Sequence, residues 1–321
     1  MSDLPSAPVL LVTGASSGIG RATCLEAAAQ GWHVVLAARG RTSLVEVAAE
    51  CRGAGAASTL VVPTDVGDDE AVRALVAAVL DEHGRIDGVV NSAGVVAYGR
   101  TEEVPVDVFD GVLRTNLHGS VNVARHVVPV LRRQGDGRGH GTLVLLGSVV
   151  GHLSVPSMSP YVLSKWGVRV LVQQLRLENR DRPGVGIAYV APGGVDTPIY
   201  RQAANVAGFA GRPPPPVASA EKAGRQVLDH VLHPGRRGQL TLANDVVRFG
   251  HQFVPWVYDR IIETSFAIGA TDLRRPVEPT DGNVLSSRED ANALDGQHGN
   301  VLRDLVGNVR TRLAGGGRPR S

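Results

Sequence analysis

The chain of 321 residues is 43% hydrophobic and 20% charged with a formal net charge of +2. That is the balance of a globular protein long enough to bury one large core or two ordinary ones. Charges of both signs spread along the chain exclude the basic stripe of a nucleic-acid binder. Two cysteines, Cys24 and Cys51, exclude a disulfide framework and fit a reducing compartment, the cytoplasm.

The opening MSDLPSAPVLLVTG carries an acid and no cationic stretch before its apolar run, so it reads as a strand and not as a secretory signal. Apolar, β-branched runs follow at 8–13, 33–37, 59–63, 86–91, 142–147 and 185–190. Helical patterns lie between them at 18–30, 41–52, 67–83, 105–133 and 159–180. Near-continuous apolar strands alternating with helices predict an α/β fold, a doubly wound parallel sheet covered on both faces. Its ligand would sit at the carboxyl ends of the strands. Residues 141–164 contain no Asp, Glu, Lys or Arg, but Pro156, Pro160 and the interspersed glycines and serines make them strand–loop–helix and not a membrane span.

Past residue 197 the pattern loosens. Residues 198–218 hold GFAGRPPPPVAS and predict a mobile loop, followed by a helix at 219–232 and a short strand near 238–242. The main domain is therefore placed at 1–244. Residues 245–268 concentrate Phe249, Phe253, Trp256, Tyr258 and Phe266. Helical spacing sets Phe249, Phe253, Trp256 and Val257 on one face, for packing on the core or on a partner subunit. Two other roles for the segment are a lid over an apolar pocket and a peripheral membrane contact. No aromatic residue occurs after Phe266, and 269–321 reads as a partly ordered tail.

The first chemical signal is TGASSGIG, residues 13–20, between the first strand and the first helix. Gly14 permits a tight turn, Gly18 a close backbone approach and Gly20 close helix packing. With Ser16, Ser17 and Ile19 they form a cradle where free N–H groups and the helix dipole favour a pyrophosphate. Nineteen residues after Gly20 the second strand ends in Ala37-Ala38-Arg39. A carboxylate here would take a ribose 2′-hydroxyl; an arginine suits a 2′-phosphate, so the sequence predicts NADP (NADPH). A charge-assisted bond of about 1.5–3 kcal/mol corresponds to a preference of about tenfold to a hundredfold.

The second signal is Ser148 at a strand end, with Tyr161 and Lys165 four apart at a helix start and sharing a face. A tyrosine is a poor acid–base group at neutral pH, and a neighbouring ammonium shifts it in the useful direction. No metal-binding cluster is expected.

Taken in order, TGASSGIG, Asp65-Val66, Asn91-Ser92-Ala93-Gly94, Asn116, Ser148, Tyr161-Lys165 and Pro192-Gly193-Gly194-Val195-Asp196-Thr197 make the sequence similar to the short-chain dehydrogenases/reductases of the core, non-extended branch. The resemblance spans residues 8–200 and implies a Rossmann-type sheet as a single domain with a helical C-terminal extension. It implies that Tyr161 is the general acid or base, that Lys165 binds the nicotinamide ribose and depresses the Tyr161 pKa, that Ser148 bonds the substrate oxygen, and that Asn116 holds a relay water. It further implies that Asp65 and Val66 meet the adenine, that Asn91, Ala93 and Gly94 lie at the ribose side, and that Pro192, Gly193, Val195 and Thr197 meet the nicotinamide end. Met158, His152 and the loop 198–215 would line the substrate pocket. Ser92 replaces the second Asn of NNAG, and Gly147 replaces a serine common before the catalytic one. The long extension speaks against a ketoacyl-carrier reductase, and the glycine spacing against an epimerase. The expectation is an NADP-dependent oxidoreductase interconverting an alcohol and a carbonyl on an apolar small molecule, assembled as a homodimer or homotetramer. The rival reading is a non-catalytic dinucleotide-binding or redox-sensing scaffold with the tail as its partner surface.

Overall fold

A computed structural model describes residues 7–135, 141–236, 252–298 and 307–310. Six strands form one parallel sheet in the order β3-β2-β1-β4-β6-β7. These are β1 (Val9–Thr13), β2 (His33–Ala38), β3 (Ser58–Pro63), β4 (Gly88–Asn91), β6 (Gly141–Leu146) and β7 (Val185–Val190). The order reverses between β1 and β4, and the cleft opens at the carboxyl ends of those two strands, the topological switch point. Strands β1, β4 and β6 are buried along their whole length, as strands covered on both faces must be.

Helices α1 (Gly18–Ala29), α2 (Arg41–Ala54) and α7 (Ala220–Leu232) cover one face. Helices α3 (Asp69–His83), α5 (Gly119–Gly135) and α6 (Ser159–Glu178) cover the other. Local chemistry sets their ends. Asp68 caps α3 by accepting from the N–H groups of Glu70 and Ala71, and Ser219 caps α7 through Lys222 N. Gly55 and Gly84 close α2 and α3 in the left-handed conformation.

The helix predicted at 105–133 is interrupted. It runs as α4 (Val106–Leu113), a π-helical turn (Arg114–His118) and α5, and Asn116 sits in the π turn. Such turns displace one residue from the regular helical register, and here that residue is a candidate site residue.

The loop predicted at 198–218 is built of short pieces. A 3-10 turn at Pro198–Tyr200 leads to β9 (Ala204–Asn205), which pairs with β5 (Ala97–Tyr98). Next, β10 (Phe209–Gly211) pairs with β12 (Thr271–Pro276), and β11 (Val217–Ala218) pairs with β8 (Gly194–Val195). The proline run is held because Gly194 lacks a side chain: a Cβ there would strike the Pro214 carbonyl. The strand predicted near 238–242, together with Phe249, lies outside the described residues.

Helix α8 (Pro255–Gly269) starts at the proline, as a helix with Pro in its first turn does. Its buried face differs from the predicted one. Phe253 and Trp256 are 63% and 73% exposed, while Tyr258 and Phe266 are buried with Ile262 packed beside them. These three recur every four residues, and the Tyr258 hydroxyl anchors the helix by donating to the Ser154 carbonyl at 2.6 Å. Among the described residues no helix is long and apolar enough to cross a membrane.

Residues 271–298, expected as tail, pack along the domain. They are held by backbone and carboxamide hydrogen bonds (Asn205 N to Thr280 O at 2.7 Å, Asn283 N to Gln202 O at 2.8 Å). His298 packs edge-on against Tyr200 at 5.3 Å, and Val284 is buried in an apolar cluster.

Candidate active site

A cavity of about 490 Å³ runs from the glycine loop to Tyr161. Its dinucleotide half is shaped by the absence of side chains. Gly14 has φ +67°, and a Cβ there would lie 2.7 Å from Ala93 N; Gly18 has φ +51° and faces Thr197. Gly20 is not in the wall: it lets the start of α1 close on the Gly14 carbonyl. Ser16, Ser17, Ile19, Arg39, Asp65, Val66, Ala93 and Gly94 line this half, and Pro192, Gly193, Val195 and Thr197 line the far end. These residues fit a dinucleotide: a groove only glycines keep open, the N-terminus of α1, and a cation where the second strand ends.

Two predicted contacts stand behind the wall. Asn91 accepts from Thr13 Oγ1 at 2.6 Å and donates to Ser120 Oγ at 3.0 Å, tying β1, β4 and α5 together. With its carboxamide thus engaged, it supports the cavity wall at Ala93 and Gly94 from beneath. Asn116 donates to the Val95 carbonyl at 2.9 Å and to Ser164 Oγ at 3.0 Å, and accepts from Val95 N at 2.8 Å. Both donors are spent, so its place is as a brace between the chain after β4 and helix α6, with Oδ1 facing Gly94 beside Lys165 Nζ.

Asp65 pairs with Arg114 at 2.6 Å and accepts from Gly67 N at 2.9 Å, fixing the turn after β3. Gly147 has a structural reason: a Cβ would collide with the Tyr189 ring, which fills the space a larger residue would need.

Ser148 and Tyr161 are hydrogen-bonded through their side chains, and Lys165 Nζ lies 5.6 Å from the centre of the Tyr161 ring. Burial pushes the Tyr161 hydroxyl up to about 12 against the opposing Ser148 bond. Burial also brings the Lys165 ammonium down to about 8, while Nζ donates to the Leu146 carbonyl at 2.9 Å. Burial, and not the Lys165 ammonium expected to depress it, sets the direction for Tyr161, with Ser148 as the opposing influence. The result is a tyrosine protonated at neutral pH beside a serine hydroxyl and a mostly charged lysine, an arrangement that can donate a proton to a carbonyl oxygen.

The substrate end is apolar, with Val96, Leu153, Val155, Met158, Ile199 and Phe266 in its wall. His152 is not in the wall; its ring packs edge-on against Tyr189 at 5.6 Å. Helix α8 contributes Ile262, Ser265 and Phe266, so the aromatic segment roofs the pocket. Tyr200 and Arg212, the latter only 3% exposed, line the cavity from the loop 198–215 expected there without being singled out, and Tyr98 was missed. Their loop and short-strand positions carried no periodic signal.

Fold and site together define a Rossmann-type α/β protein whose cleft at the switch point fits a dinucleotide. The chain belongs to the short-chain dehydrogenase family, whose model, described as short chain dehydrogenase, matches residues 8–206. It is similar to the sepiapterin reductase of Chlorobaculum tepidum, 34% identical over 199 residues, covering 60% of this chain and 79% of that protein. It is also similar to the uncharacterized oxidoreductase YxnA of Bacillus subtilis, 30% identical over 285 residues, 86% of this chain and 77% of the relative, so that match reaches into the C-terminal extension. Some other curated relatives are matched over only 31% of their own length. Among solved structures, an alcohol dehydrogenase from Thermococcus sibiricus complexed with 5-hydroxy-NADP superposes with a TM-score of 0.62 at 26% identity, covering 73% of this chain and 94% of that one. The protein is an oxidoreductase acting on alcohols or carbonyls.

Proposed function

We propose that the protein is an NADP(H)-dependent reductase or dehydrogenase interconverting a carbonyl and an alcohol on an apolar small molecule. The observation that carries this reading is the Ser148–Tyr161–Lys165 cluster at the apolar end of a groove whose other end holds Arg39. The nicotinamide cofactor supplies the hydride. In the direction of reduction, Ser148 Oγ and the Tyr161 hydroxyl bond the substrate oxygen, and Tyr161 gives it a proton. Lys165 anchors the nicotinamide ribose and offsets the negative charge left on Tyr161, while Phe266 and Ile262 keep water from the reacting oxygen. Two buried free thiols, Cys24 and Cys51, both raised by burial, suit a reducing cytoplasm and take no part. The test of the cofactor is a steady-state comparison: NADPH preferred over NADH by tenfold or more, with Arg39→Ala losing about tenfold to a hundredfold with NADPH and little with NADH. A wild-type preference for NADH contradicts it.

We also propose that two copies associate through α6. Leu163, Val170 and Leu177 are exposed at seven-residue spacing and make one stripe, suited to a two-fold interface with a second copy of itself. Light scattering should give a dimer or tetramer for the wild type and a monomer for the Leu163→Glu, Val170→Glu double variant; a monomeric wild type contradicts this.

A further inference from the structure

Residues 283–293 cross the Arg39 end of the groove and engage the donors there. The Arg39 guanidinium donates to the carbonyls of Asn283 at 2.5 Å and Val284 at 3.2 Å. The Glu289 carboxylate accepts the N–H of Ser43 at 2.8 Å, in the first turn of α2. Asn292 donates to Ser43 Oγ at 3.0 Å, and Gly18 N donates to the Ala293 carbonyl at 2.9 Å. Gly40 leaves room for this contact: a Cβ there would run into the Glu289 carboxyl group where it now sits.

Helix α2 has no side-chain cap of its own and no acid in its first turn. Its N-terminus, next to Arg39, is therefore a place where an anion is stabilised by free N–H groups and the helix dipole. The chain itself supplies that anion from 246 residues further on. We propose that Glu289 is a specificity-determining residue which occupies the anion position a 2′-phosphate would take, so that NADP(H) binds against an internal rival and NAD(H) does not. This rests on the proposed reading that the Arg39 end receives the adenosine ribose. Arg39 attracts the 2′-phosphate and Glu289 opposes it; two anions cannot share the same N–H donors. The strap thus narrows the preference that Arg39 creates.

The test uses the full-length protein and two adenosine probes, 2′,5′-ADP and 5′-AMP, titrated by calorimetry, so that turnover is not the readout. Glu289→Gln keeps the shape and removes the charge. It should tighten 2′,5′-ADP by about tenfold while 5′-AMP stays within about twofold, with the melting temperature unchanged. Glu289→Asp, which draws the carboxylate back by one methylene, should move the ratio of the two affinities the same way by less. An unchanged ratio, or equal changes for both probes, overturns the role of Glu289 and leaves the cofactor reading standing. Failure of both probes to bind wild type and variant overturns the dinucleotide reading and the proposal with it.

Discussion

Tyr161→Phe should lower kcat for carbonyl reduction by about 10²–10⁴-fold, about 3–5 kcal/mol of transition-state stabilisation. The binding of NADPH should change by less than about threefold. The ring remains to pack in its apolar cluster, and only the hydroxyl bonded to Ser148 is lost. At about 12, that hydroxyl carries its proton throughout the neutral range, which is the state a general acid needs. A variant with full turnover would show that the proton comes from elsewhere, and a variant that no longer bound NADPH would show that the ring serves mainly to shape the groove.

Lys165→Met should separate activity from stability. Burial lowers the Lys165 ammonium from 10.5 to about 8. The folded state therefore releases this proton before the unfolded chain does. Below pH 8 the fold carries the full penalty of a buried charge, about 3 kcal/mol, and the penalty fades as pH rises from 8 to 10.5. Methionine removes that penalty but leaves the Leu146 carbonyl without its 2.9 Å bond, at a cost of about 1 kcal/mol. The variant should be about 2 kcal/mol more stable at pH 7, with Tm higher by about 4–8 °C, yet at least a hundredfold less active. In the wild type, reduction should decline above pH 8 as Lys165 loses its charge. A destabilised Lys165→Met, or a reductive rate flat to pH 10, would contradict the assigned burial of the ammonium.

The elements legible in the sequence were those governed by local rules. Apolar runs located β1, β2, β3, β4, β6 and β7 of the main sheet, and the glycines at 14, 18 and 20 marked a turn that a side chain would strain or block. Ser148, Tyr161 and Lys165 were legible because strand end and helix start fix where they project. Legibility failed where long-range packing decides. Asn91 and Asn116 look like ligand contacts by their place in the chain, but the structure spends their carboxamides on Thr13, Ser120, Val95 and Ser164. Helical spacing alone could not choose the buried face of α8, because the Ser154 carbonyl and the pocket rim select Tyr258 and Phe266. The strap at 283–293 left no hydrophobic pattern because it is tied down by backbone carbonyls, Glu289 and Asn292.

In the proposed reaction a hydride passes to a carbonyl in this site while Tyr161 supplies the proton. The most direct measurement follows a panel of apolar aldehydes and ketones incubated with NADPH deuterated at the transferring position of the nicotinamide, with the alcohol products read by NMR and mass spectrometry. At least one alcohol should carry a single deuterium on its carbinol carbon with the wild type, at a rate reduced at least a hundredfold with Tyr161→Phe. Bound NADPH with no carbonyl on the panel reduced, or products formed equally fast by the variant, would contradict the proposed reaction.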